Sequence, residues 1–589
     1  KARFVVLDPT RLGWFDGDPL GDWSKAKQTI PVRDLAMDRD DEHGTLVVSE
    51  VSTTRCWTFS GDDQDLWLRT FSRVRRAAAQ VTATRARNAT MNLRVAALTR
   101  SVRVLRRDTA LEMERRLSHS LGGAMFPRRV GALADALVVV GPTPADVAAV
   151  AADGSASPST VVSPQVLWHH PTKGLDETVL ANVPGFAFPS GVQLRRLPRT
   201  QSLSAQHAVS FSPLESLEGS SHAHIALVTG QDELLFAAVV ITEVLQPGRT
   251  DDTVVPRAYV LVSRFPFFSV LLKVLVSMVA RERMGGFKGS EEGGHLIGRE
   301  VVDMLRAFRR LDVPRDQASL SFALPHEPRQ VEFSCAPGSE ATLMGRETLA
   351  TLASCCPLPS LERVLSTLLL EGQLVLVADS AGVLTAVALA LVPALRPFVW
   401  QGAFVPILPQ HMRDALSCPV PFVLGVVGAL SDEERSELPA TAAVLDLTAG
   451  GVLVPPREGG ADGVLPLPGA DELRSALAQC YVPLYTAADS PERARVMAQP
   501  ISPRPEADDI LTALGRYVAH LRDTVVTAAT LGGVADITAI LDDAAARDAI
   551  LANVEEGEYR SFVARLLETQ HFVQLVAGDA DNDDDDRPA

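Results

Sequence analysis

Residues 397–409 read PFVWQGAFVPILP, a largely apolar segment in which three prolines fix the direction of the backbone. The sequence around it, from 360 to 430, alternates between helical and strand-like periods. The run QLVLVA at 373–378 is apolar at nearly every position, which is typical of a strand buried on both faces. These residues therefore predict an alpha/beta lobe built around a buried sheet.

The large side chains of this segment, and the prolines that follow it, are predicted to be mainly structural. Prolines set turns, and a tryptophan among strands usually fills a core. This group comprises Trp400, Pro406, Pro409, Pro419 and Pro421. For the polar residues beside them the sequence leaves partner contact and ordinary surface both open: Gln401, Gln410, His411 and Arg413.

Upstream of this lobe, the sequence predicts an antiparallel sheet with a packed helix over residues 165–282. Its strand-like runs are HIALVTG, LLFAAVVITEVL and AYVLVSRFP, and the helical pattern is FFSVLLKVLVSMVARER. Residues 141–164 are rich in Pro, Ala, Ser and Gly, which predicts a linker and a domain boundary. After a capping-box pattern at Ser431, the chain becomes mainly helical from Asp508 and ends in an acidic tail.

The first 60 residues carry short apolar bursts separated by Asp, Gly and Pro, the rhythm of antiparallel strands, and a helical pattern follows from Asp62 to about Gln80. KARFVVLDPTRLGWFDGD and RCWTFSGDDQDLWLRTF resemble a pleckstrin-homology domain that lacks its first strand, with Trp67 at the family's helix tryptophan. The resemblance places candidate lipid-binding cations at Lys1, Arg3, Lys25 and Lys27. Converging cations suit a phosphoinositide head group, and docking of a protein is the open alternative.

A basic segment follows, because residues 73–107 contain ten arginines and neither Asp nor Glu. Val95, Leu98 and Val102 lie at helical spacing, which predicts a basic amphipathic helix. Two interpretations stay open: a stripe for an anionic membrane, or a helix docked on the acidic remainder of the chain.

Composition excludes several classes of function. A formal net charge of -16 argues against a general nucleic-acid binder. The six cysteines show no zinc spacing, EEGGH at 291–295 lacks the order of a zinc-binding helix, and no phosphate-binding GxxxxGK[ST] loop occurs. From these missing motifs we expect neither a metal nor a cofactor. The longest apolar run, 265–280, contains Lys273 and is too short to span a membrane, so we also expect no transmembrane segment.

One hydrolase motif competes with these interpretations. ADSAG at 378–382 lies between an apolar strand and a helix, the setting of a nucleophile elbow with Ser380 as nucleophile. Ala378 replaces the first glycine, and neither Asp446 nor His520 lies in a partner motif. A serine hydrolase is therefore a remote alternative.

Several stretches together resemble the tripartite DENN module of Rab guanine-nucleotide exchange factors. The central one runs from LLLEGQLVLV through PFVWQGAFVPILP to PVPFVLGV, the upstream ones are VLWHHPTKG, GFAFPSGVQ and AYVLVSRFPFFSVLLKVL, and FVARLLETQHFVQLV resembles its closing helix. The resemblance implies a longin-like alpha/beta uDENN lobe, an alpha/beta cDENN lobe and a helical dDENN end. It makes Trp400 and the four prolines family signature residues.

The resulting division of the chain is: 1–80 PH-like domain, a beta-barrel closed by a helix and missing its N-terminus; 81–140 arginine-rich helical segment; 141–164 linker; 165–285 uDENN; 286–430 cDENN; 431–577 dDENN; 578–589 acidic tail.

The resemblance implies GDP release from a Rab-type small GTPase without covalent catalysis. We expect a cytoplasmic protein, peripheral on endomembranes or the plasma membrane and recruited through the first domain and the basic helix. The alternative is a DENN-fold scaffold that binds a small GTPase or a complex partner without exchange, because fold alone does not determine function.

Overall fold

The computed structural model describes six short segments near the start of the chain and most of residues 132–572. The described residues are 4–7, 11–15, 28–31, 35–40, 45–50, 56–59, 132–152, 159–172, 175–198, 222–229, 234–246, 251–286, 297–313, 319–327, 330–334, 340–457, 464–486, 491–534, 544–554, 557–570 and 572. The chain divides into two compact units, Lys1–Arg100 and Ser101–Ala589.

The Lys1–Arg100 unit contains two antiparallel three-stranded sheets, in the orders β1-β2-β3 and β4-β5-β6. Their strands are β1 Phe4–Leu7, β2 Arg11–Phe15, β3 Gln28–Pro31, β4 Leu35–Asp40, β5 Thr45–Glu50 and β6 Cys56–Phe59. The antiparallel strands predicted for this region are thus observed in its described segments. The predicted helix after Asp62, the arginine-rich helix and the four lipid-binding candidates Lys1, Arg3, Lys25 and Lys27 lie outside the described residues.

The second unit begins with a lobe that we call the first lobe, built on an antiparallel sheet. Its long strand β13 pairs with β12 along one edge and with both β10 and β7 along the other, and β11 pairs with β12. β8 and β9 extend the sheet from β10 and β7. The strands are β7 Ala136–Gly141, β8 Ser159–Val162, β9 Gln165–His170, β10 Val192–Pro198, β11 Ala223–Thr229, β12 Leu234–Gln246 and β13 Asp251–Ser263.

Helices cover this sheet: α1 Pro144–Ala152, α2 Glu177–Ala187, α3 Phe268–Gly286 and α4 Arg299–Arg309. Helix α2 packs on β7, β9 and β11, and α3 packs on β12 and β13. An antiparallel hairpin of β14 Ser319–Ala323 and β15 Gln330–Ser334 follows.

The structure differs from the predicted linker at 141–164. Helix α1 and strand β8 occupy much of it, and β7, which ends at Gly141, pairs with residues 258–262 of β13. Val147 and Val150 of α1 are buried against Leu194 and Val255. The composition was misleading because a short helix of small residues resembles a flexible segment until its few valines find a sheet to cover.

The second lobe is an alpha/beta unit with the strand order β17-β18-β16-β19-β20. The first four strands are parallel and β20 is antiparallel. Strand β16 lies inside the sheet and is buried along its whole length, in agreement with its apolar sequence. The strands are β16 Gln373–Ala378, β17 Ala403–Val405, β18 Phe422–Val427, β19 Ala442–Asp446 and β20 Val452–Val454.

The helices of this lobe are α5 Glu340–Cys355, α6 Leu358–Leu369, α7 Ala381–Ala394, a 3-10 helix Gln410–Ser417, and α8 Asp432–Glu437. Helix α7 is apolar and buried from Gly382 to Ala394, as expected for a helix surrounded by protein. It packs on β16 and β18 of its own lobe, on α5, and on β11 of the first lobe. The two lobes therefore share one hydrophobic core around α7.

The remaining helices are α9 Ala470–Leu477, α10 Val482–Thr486, α11 Pro491–Ala498, α12 Pro505–Leu531, α13 Ala544–Ala552 and α14 Glu558–Leu566. Helix α12 packs on α5, α7, α9 and α13. Arg474 on α9 donates two hydrogen bonds of 2.7 Å to Glu362 on α6, which ties these helices to the second lobe. Among the helices in the described ranges, none combines the length and hydropathy needed to cross a bilayer.

Candidate functional site: the seam between the lobes

The PFVWQGAFVPILP segment forms β17 and the turn that leads into the 3-10 helix. Trp400 is 7% exposed, and its Nε1 donates a 3.3 Å hydrogen bond to the Ala403 carbonyl. Pro406 and Pro409 are buried, Pro421 is half-buried and Pro419 is exposed. Pro421 also supplies the carbonyl that accepts from Ala403 N at 3.0 Å. Four of the five signature side chains thus lie in packed positions.

The end of this segment contacts the first lobe. Gln410 N donates a 2.7 Å hydrogen bond to the carbonyl of Pro189, in the turn after α2. The ring of His411 lies so close to Gly185 of α2 that a Cβ there would be 2.6 Å from His411 Cε1 and 3.5 Å from Pro409 Cβ. Gln410 and His411, for which the sequence left two interpretations, therefore belong to a junction within the chain, although both remain exposed.

A double-mutant cycle tests this contact. Gly185→Ala should destabilise the protein by about 1–2 kcal/mol, since the new methyl group displaces the His411 ring. In a His411→Ala background the same change should be neutral or stabilising by up to about 1 kcal/mol, because alanine is the better helix former. Chemical denaturation of the four proteins measures both effects, and additive changes would contradict the contact.

A second contact joins α7 to strand β11, at the edge of the first-lobe sheet. Ile225 N donates to Thr385 Oγ1 at 3.4 Å, so a helix of one lobe covers a strand edge of the other. Next to it, the buried His224 donates from Nε2 to the Phe186 carbonyl at 3.0 Å, because a carbonyl can only accept. Burial lowers the pKa of His224 to about 4, so the ring is neutral at physiological pH.

The third contact joins α3 of the first lobe to α5. Glu347 is buried and accepts hydrogen bonds from Ser269 N at 2.9 Å and from Ser269 Oγ at 2.6 Å. Burial raises the pKa of Glu347 to about 7, although the bonds from Ser269 and the charge of Lys273 act in the opposite direction. We call the three contacts, at Gln410–His411, Thr385 and Glu347, the inter-lobe seam.

Arg413 holds the 3-10 helix in place behind the seam. Its side chain is 12% exposed, and it donates to Glu434 Oε1 at 3.0 Å and to the Val427 carbonyl at 3.4 Å. Glu434 in turn closes the capping box with Ser431 at the start of α8, as the sequence predicted. Although burial acts to raise it, the pKa of Glu434 is lowered by the bonds from Ser431 and by Arg413.

The hydrolase alternative finds no support in the geometry. Ser380 is the N-cap of α7, where its hydroxyl accepts from Val383 N, and its φ of -101° is ordinary extended backbone rather than a strained elbow. Asp446 accepts from Thr448 and Ala449 in its own turn. His520 is exposed on α12. Ser380 and Asp446 therefore have local structural roles, and the described ranges contain no cluster of side chains that could hold a metal ion.

The sequence argument missed two seam residues, Thr385 and Glu347, and the neighbouring His224. All three are polar side chains that the fold buries. Such residues require hydrogen-bond partners, but the sequence does not identify them. Of the seam, the sequence singled out only the signature turn with Gln410 and His411, and it did not predict that these residues contact the first lobe.

Comparison with known proteins identifies this architecture. Residues 254–450 match the family model "DENN (AEX-3) domain". The match begins within β13 of the first lobe and ends after β19 of the second, so it includes the Ser269–Glu347 contact in full and the second-lobe side of the other two seam contacts. The chain carries a DENN domain.

Its relatives are DENN domain-containing proteins 2A, 2B and 2C. The chain is 37% identical to human DENN domain-containing protein 2B over 94 residues, which is 16% of this chain and 8% of that protein. It is 25% identical to the mouse 2C protein over 275 residues, 45% of this chain and 26% of that one. The human 2A protein is 35% identical over 66 residues, 11% of this chain and 6% of the relative. The matches thus span about a quarter or less of these relatives.

Proposed function

We propose that this protein is a guanine-nucleotide exchange factor that releases GDP from a Rab-type small GTPase. The observation that carries the proposal is the DENN match over residues 254–450, across both lobes. An exchange factor must bind the nucleotide-free GTPase more tightly than the GDP-bound form. Two lobes locked by a buried seam suit this task, because a rigid surface can distort a partner's nucleotide-binding loops without deforming itself.

The tripartite division belongs to the same proposal. In the first lobe the strand order β9-β7-β13-β12-β11 supports a longin-like uDENN lobe, as does the position of helix α2 directly after β9 in the chain. The parallel sheet of β16–β19 supports the cDENN assignment, and the helices α9–α14 support a dDENN end. The paired strands β1–β6 support a PH-like first domain.

Membrane recruitment completes the proposal. The protein acts in the cytoplasm at the surface of an anionic membrane, which it reaches through Lys25 and Lys27 of the first domain and through the arginine-rich segment. Each basic residue near such a surface contributes on the order of 1 kcal/mol.

Release of a fluorescent GDP analogue from a panel of Rab proteins tests exchange, in solution and on phosphoinositide-containing vesicles. We expect release from at least one member to accelerate by about tenfold or more, equivalent to ~1.4 kcal/mol, with no effect on a small GTPase outside the Rab class. The vesicle-dependent part of the acceleration should fall in the Lys25→Glu/Lys27→Glu variant. Stable binding to a GTP-loaded Rab without acceleration would instead establish the scaffold alternative.

A further inference from the structure

A cluster of cations lies where strand β9 ends beside the last turn of helix α4. His169 and His170 close β9, where they pair with Val138 and Leu137 of β7. The segment after α4 approaches the residues just before β7: Leu133 N donates to the Leu311 carbonyl at 3.4 Å. β7 therefore brings the end of β9 and the end of α4 together.

The members of the cluster are His169, His170, Arg306 and Arg309, and we call it the β9–α4 basic cluster. The charged groups that act on His170 are all cationic: after desolvation by burial, Arg306, Arg309 and His169 each lower its pKa. The ring of His170 is also fixed by stacking on Trp168, with 6.1 Å between ring centroids and 13° between the planes. The guanidinium groups of Arg306 and Arg309 thus disfavour a charged His170, and a bound anion would offset their effect.

The acidic residues near the cluster do not neutralise it. Arg306 meets Asp303 at 3.4 Å on its own helix, but both side chains are well exposed, 54% and 40%, so this pair contributes little. Arg309 Nε is buried and has no hydrogen-bond partner within the part of the chain that the structure describes. A ligand oxygen would be able to accept a hydrogen bond from this N–H.

Donor chemistry defines the ligand. His169 Nδ1 lies 3.0 Å from the Pro171 carbonyl and donates to it, which leaves Nε2 for another partner. Two guanidinium groups offer forked N–H donors that match tetrahedral oxyanions, and the imidazoles add donors when protonated. Two permanently charged guanidinium groups beside two imidazole rings favour a phosphate group, which carries up to two negative charges, over a single carboxylate.

We propose that the β9–α4 basic cluster is a binding site for a phosphate monoester, carried by an inositol phosphate that is either free or the head group of a lipid. The site is independent of nucleotide exchange and distinct from Lys25 and Lys27. It would attach the first lobe itself to a phosphorylated ligand.

Calorimetric titration with inositol trisphosphate, and flotation with phosphatidylcholine vesicles that contain phosphatidylinositol phosphate, distinguish the two sources; every protein in these experiments is the full chain with Lys25→Glu/Lys27→Glu, so that the first domain does not contribute. The Arg306→Gln/Arg309→Gln variant should weaken binding by about tenfold or more, because charge-assisted bonds to phosphate are strong. His169→Gln/His170→Gln, which leaves α4 intact, should weaken it in the same direction.

The matched control is Arg516→Gln/Arg565→Gln, which removes the same charge from exposed positions on α12 and α14. Its affinity should change by less than about twofold. Loss of calorimetric binding in the cluster variants identifies a free inositol phosphate, and loss of flotation alone identifies the lipid. Equal losses in control and cluster variants, binding of neither probe, or binding only of a phosphoserine peptide would overturn the proposal.

Discussion

Glu347→Gln should stabilise the protein increasingly as the pH rises, by about 2–3 kcal/mol between about pH 5 and about pH 8 relative to the parent chain. Burial raises the pKa of Glu347 to about 7 in the folded protein from its ordinary value of 4.5. Between these values the folded state binds more protons at this site than the unfolded state does. The contribution of Glu347 to stability is therefore fully present below its unfolded pKa and is lost as pH rises through the folded pKa.

Glutamine has nearly the same shape and cannot ionise. Its carbonyl oxygen can accept from Ser269 N and its amide can donate to Ser269 Oγ, so the seam contact between α3 and α5 survives. Urea denaturation of both proteins across this pH range gives the comparison. Glu437→Gln on the exposed face of α8 is the control, with an expected change below about 0.5 kcal/mol at every pH. Parallel pH curves for the parent and Glu347→Gln proteins would show that the buried carboxyl group does not control stability in this way.

Gly425→Ala should destabilise the second lobe by more than about 3 kcal/mol. Gly425 lies in β18, where a Cβ would collide with the backbone carbonyl of Pro406 and lie 2.8 Å from its carbon atom. Neither group can move away easily, because Leu408 N also donates to the Gly425 carbonyl at 2.7 Å and holds the signature turn against the strand. The collision thus involves two backbones rather than the tip of a flexible side chain.

Gly515→Ala provides the matched control, since a Cβ at that position on α12 meets nothing within 4 Å. It should raise stability by up to about 1 kcal/mol through helix propensity. Guanidinium unfolding followed by circular dichroism measures both proteins. Similar small effects at the two glycines would contradict the packing of the signature turn on β18.

These two sites differ in how far the sequence anticipated them. The prolines of PFVWQGAFVPILP were expected to set turns and Trp400 to fill a core, and Trp400, Pro406 and Pro409 are indeed buried around β17. The close approach of Gly425 to Pro406 was not visible, because Pro406 lies in the turn after β17, Gly425 lies on β18, and a glycine within a strand has several explanations. Glu347 resembled an ordinary helical glutamate, since the spacing of apolar residues in α5 does not indicate that nearly every face of that helix is buried.

The amino-acid sequence alone determined the alternation of helices and strands, the buried sheet around QLVLVA and the resemblance to the DENN family, because periodicity and local composition reflect burial and turn geometry directly. Only the tertiary structure decided that 141–164 contains α1 and β8, that α7 lies between the lobes, and which partners the seam residues take. Ser269 and Glu347 are 78 positions apart, and Ile225 and Thr385 are 160 apart. A buried polar group requires a partner, but its own sequence neighbourhood does not specify which distant element will supply one, and that choice arises when the lobes pack together.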